Sequence, residues 1–88
     1  MKLTLKHPLV FGKTTVAELN FRDYATAEDL LAFDERGPNR QTIALIAGLT
    51  GSDEAMIKKL HVVDYRAADV IASKLLQSES DEKNEAAP

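Results

Sequence analysis

Alternation opens the chain. From Lys2 to Lys6, Leu3 and Leu5 point one way while Lys2, Thr4 and Lys6 point the other, the period of a half-buried strand. His7-Pro8 predicts its end, because proline has no N–H to give to a ladder. Thr14 to Arg22 alternates again, with Ala17, Leu19 and Phe21 on one face and Val16, Glu18, Asn20 and Arg22 on the other. Gly12, between the two, suits the positive φ of a tight turn. Together they predict an antiparallel hairpin. Helical spacing takes over after Asp23-Tyr24-Ala25. Thr26, with Asp29 three residues on, opens a short helix from Ala27 to about Asp34. Gly37-Pro38 then separates it from a helix capped by Asn39 and running from Arg40 to Leu49. That helix is apolar nearly all round, as a buried helix is. Gly48 inside it marks close packing or the approach of its end.

Thr50-Gly51 stops this helix. Ser52 is expected to cap a second one, Asp53 to Leu60, with Met56, Ile57 and Leu60 as its apolar stripe. His61-Val62-Val63 bridges to a third helix with Asp64 as its cap, and Tyr65, Ala68, Ile71 or Ala72, and Leu75 follow at helical spacing. The expected architecture is α+β: an N-terminal antiparallel β-hairpin followed by three to four short packed helices. Residues 1–77 form a single domain, and residues 78–88 read as a disordered acidic tail because they contain no large apolar side chain.

The totals narrow the function. A chain of 88 residues is one small domain, of which folding buries only about 60% of the surface exposed when unfolded. Residues 78–88 carry a net charge of −3, the whole net charge of the chain, so the body is balanced. Its Lys and Arg are scattered, without the basic stripe of a nucleic-acid binder. No apolar run approaches the ~18 residues that span a bilayer, and no cysteine is present for disulfides or thiolate metal sites. Nucleic acid, membrane and cofactor are therefore not expected as partners, and the cytosol is the simplest location.

Candidate chemistry is sparse. A His61–Asp64 pair has the composition of a general base with its orienting carboxylate, but capping explains Asp64 locally. Asp53-Glu54 and Glu28-Asp29 are adjacent pairs that diverge on a helix rather than converge on a metal. The four glycines fit no phosphate-binding loop. Thr42 to Leu60 has the outline of a helix-turn-helix, which makes a small DNA-binding regulator the alternative reading. The second helix, however, would present Asp53 and Glu54 to phosphates. Phe11, Tyr24, Phe33, Met56 and Tyr65 are the candidates for contact with a protein partner, since a core this small has little room for all of them.

Three stretches together resemble a known family. They are the opening with His7-Pro8, Gly12 and Leu19-Asn20-Phe21-Arg22; the run Arg22-Asp23-Tyr24-Ala25-Thr26-Ala27-Glu28-Asp29-Leu30; and Ile43-Ala44-Leu45-Ile46-Ala47-Gly48-Leu49-Thr50-Gly51, followed by Leu60 and Asp64-Tyr65. They are similar to the small tail assembly chaperones of contractile-tailed phages and Mu-like prophages. Ala25 stands where relatives often have proline. The resemblance implies a non-enzymatic protein that binds the tape-measure protein during viral morphogenesis, keeps it soluble and assembly-competent, and is absent from the mature virion. It also implies a C-terminally extended frameshift form as a companion product. A homo-oligomer is a further candidate assembly.

Overall fold

The computed structural model describes residues 1–86, with side chains through Gln77. Strand β1 (Lys2–Phe11) pairs antiparallel with β2 (Thr14–Asn20). A 3₁₀ helix, η1 (Ala27–Asp34), follows, then α1 (Pro38–Thr50), α2 (Glu54–Ile57) and α3 (Val62–Ala86). This is the expected α+β order of hairpin then helices. Gly12 turns the hairpin at φ 65°.

The hairpin is not regular. Its ladder pairs Leu3 with Leu19 and Thr4 with Glu18, then resumes at Leu9 with Val16. Residues 5 to 8 form a bulge opposite Ala17. The expected stop at His7-Pro8 is thus corrected: Pro8 sits where no ladder bond is needed, and the strand continues to Phe11. The bulge also changes which side chains of β2 face inward. Val16 and Leu19 both pack on the core, while Ala17 is exposed, so the uniform alternation expected for β2 does not hold.

The core joins Leu5, Leu19 and Phe21 of the hairpin region to Leu45, Ile46 and Leu49 of α1, Met56 and Ile57 of α2, and Ala68, Ala72 and Leu75 of α3. On α3 the buried positions recur at the expected helical spacing. Ala68 and Ala72 are fully buried, and such small residues permit close packing of the helix on its neighbours.

The helix ends differ from the sequence expectations. Gly37, not Asn39, is the cap residue of α1, and Pro38 takes the first helical position, where its missing N–H has no bond to lose. Asn39 instead accepts a hydrogen bond from the Tyr65 hydroxyl at 3.0 Å. Gly51, at φ 65°, ends α1, and the Ser52 N–H donates back to the Ala47 carbonyl at 2.9 Å. Asp53 rather than Ser52 caps α2, accepting from the Ala55 N–H at 2.8 Å. The hydroxyl of Ser52 is occupied by that of Thr50. Helix α2 is a single turn, because Lys58-Lys59-Leu60 leaves the α-helical path. The expected disordered tail falls on residues 78–88. The α3 backbone runs on to Ala86, with no Gly or Pro to interrupt it, while the side chains from Ser78 and all of Ala87 and Pro88 lie outside the described residues.

Candidate functional site

Two buried carboxylates organise the polar interior. Asp64 is 1% exposed. Its Oδ1 accepts the Lys6 N–H at 2.8 Å and its Oδ2 accepts the His7 N–H at 3.0 Å. These are the donors that the β1 bulge removes from the ladder, so a side chain of α3 replaces the missing strand partner. The expected role of Asp64 as a cap is corrected accordingly. His61 occupies the cap position of α3: its Nδ1 accepts the Val63 N–H at 3.1 Å. The rings of His7 and His61 stack with centroids 3.9 Å apart. The Asp64 carboxylate therefore serves the backbone of β1 rather than orienting His61, and the general-base geometry is not built. Burial works to raise the Asp64 carboxyl, but the Lys6 and His7 N–H groups outweigh it and hold it below its ordinary 3.8.

The second carboxylate, Asp29, lies on the inner face of η1. Arg22 donates to its Oδ1 at 2.7 Å, and the Thr26 N–H donates to its Oδ2 at 2.7 Å. Arg22 also reaches the Gly48 carbonyl at 2.9 Å. Burial again opposes ionisation, yet the Thr26 N–H and then Arg22 draw the Asp29 carboxyl below its ordinary value; the bond to Asp29 in turn raises Arg22. Gly48 makes this approach possible. A Cβ there would sit 3.0 Å from Asp29 Oδ1. Arg22 thus ties the end of the hairpin to η1 and α1 at one point. On sequence alone Arg22 lies on a strand face and Asp29 in a helix cap, and their pairing stays hidden because no local spacing announces it.

With Asp29 and Ala32 turned inward, the other sides of η1 face out. In a 3₁₀ helix positions i and i+3 eclipse. Leu30 and Phe33 therefore share one side, and Glu28 and Leu31 another. Leu30 is 53% exposed, Leu31 62% and Phe33 47%. Among the described residues this is a concentrated apolar surface on one short element. Beside it runs a groove of about 470 Å³ between η1, α1 and α2, lined by Glu28, Leu31, Glu35, Ala44 and Glu54, with the Arg22–Asp29 pair at its base.

The five candidate contact residues are not equivalent. Tyr24 and Phe33 are exposed, Phe11 and Tyr65 are half-buried against the core, and Met56 is buried within it. They lie on five separate parts of the chain. Leu30 and Leu31 are not among these five, since a helical pattern alone does not turn them outward. Only the 3₁₀ geometry, with its threefold repeat, shows that they face out. Among the described residues, no group of three His, Asp or Glu side chains is placed to hold a metal ion, and no helix is long and apolar enough to cross a membrane.

Comparison with known proteins places this arrangement. Residues 2–77 match the family described as phage tail assembly chaperone proteins, E, or 41 or 14. No curated protein and no solved structure gives a match. The matched span takes in both carboxylate clasps, η1 and the groove, and the chain belongs to the phage tail assembly chaperones.

Proposed function

We propose that this chaperone binds the tape-measure protein of its phage and keeps it soluble and assembly-competent until tail-tube subunits enclose it. The observation that supports this reading is the uncovered apolar surface of η1, formed by Leu30, Leu31 and Phe33. Exposed apolar side chains on adjacent positions mark a protein-contact surface. A long amphipathic helix, prone to aggregate through its own apolar stripe, is the complementary partner. In this reading the protein works without catalysis in the host cytoplasm and leaves before the virion is complete. A C-terminally extended frameshift form would carry the same η1 surface.

Nothing observed favours the DNA-binding alternative. A recognition helix must reach base edges with its first turns, whereas α2 is one turn long, capped by Asp53 and opened by Glu54.

The test is co-expression with the tape-measure protein, followed by pull-down at low and high salt. Soluble tape-measure protein that co-purifies at both salts is expected. A Leu30→Ser/Phe33→Ser variant should fold as the parent does and lose this activity. Insoluble tape-measure protein despite abundant folded chaperone overturns the reading. So does an η1 variant that solubilises as well as the parent.

A further inference from the structure

The apolar side of η1 accounts for attraction to a greasy partner. It does not account for the groove beside it, whose charges are one-sided. Glu28 and Glu35 stand on or just beyond η1, and Glu54 opens α2 across the gap. All three are exposed, and none forms an ion pair among the described residues. Arg22, the one cation lining the groove among the described residues, is committed to Asp29 and the Gly48 carbonyl. The groove therefore offers unpaired negative charge at its edges and a small apolar surface, Leu31 and Ala44, between them.

We propose that this groove receives an amphipathic helix of the partner protein, with leucine-sized side chains against Leu31 and Ala44 and flanking Lys or Arg reaching Glu28, Glu35 and Glu54. The inference rests on the chaperone reading and adds the polarity of the segment recognised. Charge decides the occupant. The chain's own acidic residues 78–88, at net −3, are repelled by these carboxylates, and so is a nucleic-acid backbone. The three carboxylates do not gather as a metal cluster, so they suit cationic side chains spaced along a helix better than one ion. Apolar contact with η1 holds the partner; the acidic edges select which of its stripes is held and speed the encounter.

The experiment compares two synthetic peptides of about 18 residues, or five helical turns. Both carry the same leucine stripe, flanked by lysine in one and glutamate in the other. Binding to the full chain is measured by calorimetry, and the contact is located by amide shift changes in NMR spectra. The Lys-flanked peptide should bind at least tenfold more tightly, shifting Leu31, Ala44 and Glu54. A Glu28→Lys/Glu35→Lys/Glu54→Lys variant, checked for parental circular dichroism, should reverse the preference. Equal binding of both peptides overturns the inference, as does a preference unchanged by the charge reversal or shifts confined to other surfaces. The same variant is run in the tape-measure pull-down. If parent and variant solubilise the tape-measure protein equally well, the groove assignment fails and the chaperone reading survives. If the parent captures none at either salt, both fail.

Discussion

Replacing Asp64 tests whether a single carboxylate holds the hairpin to the helices. In Asp64→Ala the Lys6 and His7 N–H groups lose their acceptor. Hydrogen bonds to a charged group contribute about 1.5–3 kcal/mol each, which bounds the loss at roughly 3–6 kcal/mol. Water can reach the bulge once the side chain is truncated, so the lower end, about 3 kcal/mol, is expected. A domain of this size has roughly 4–13 kcal/mol in all. The substitution therefore removes a large share of the stability and should be plain in urea unfolding followed by circular dichroism. Asp64→Ser sharpens the test. Were Asp64 only a helix cap, serine would replace it within about 1 kcal/mol. As a two-armed acceptor it cannot be so replaced, because a hydroxyl is too short to reach both N–H groups. A loss below about 1 kcal/mol for Asp64→Ala, or near-parental stability for Asp64→Ser, would refute the clasp.

Other consequences are open to measurement. Gly48→Ala gains roughly 1 kcal/mol of helix propensity but places its Cβ 3.0 Å from an Asp29 oxygen that Arg22 and Thr26 hold in place. A net loss of about 1 kcal/mol is expected in urea unfolding, turning into a gain when Asp29→Ala is added. Arg22→Ala leaves a buried carboxylate without its cation and should cost about 3 kcal/mol, the lower end of the range for a broken buried pair because Arg22 is partly solvated. Both Asp29 and Asp64 titrate below their ordinary 3.8 in the folded chain, so the unfolded chain takes up these protons first. Their contribution is complete above about pH 3.8 and is lost as pH falls toward the lower folded values. Urea midpoints should drop across that range, less steeply in Asp64→Ala. On the surface, Leu31→Ser should change stability by less than about 0.5 kcal/mol while weakening capture of the tape-measure protein in the pull-down.

Much of the fold was legible because it is written in local spacing. The Leu3/Leu5 alternation, Gly12, the stop at Gly51 and the Ala68–Ala72–Leu75 spacing each name their element. What stayed hidden depends on partners distant in sequence. Pro8 reads as a strand end until Asp64 is seen taking up the donors of the bulge. Asp64 reads as a cap because local chemistry already explains it, and nothing nearby says that His61 caps instead. The site was less legible than the fold. Phe33 and Tyr24 are exposed as aromatic content suggested, but Met56 belongs to the core, and Leu30 and Leu31 look like core until the threefold repeat of η1 turns them outward.

The clasp between α3 and the β1 bulge also sets an order of events. Its donors and acceptor lie 57 and 58 positions apart. Closing a loop of that length carries an entropic term of roughly 3–4 kcal/mol, from (3/2)RT ln n. During synthesis the hairpin leaves the ribosome first, yet the donors of its bulge have no Asp64 to meet until the start of α3 has followed. Residues 5 to 8 must wait with open backbone donors while everything between them and Asp64 is made. Closure of this clasp is therefore a late step for so small a domain: the strand made first is fastened only when the start of the last helix has been made.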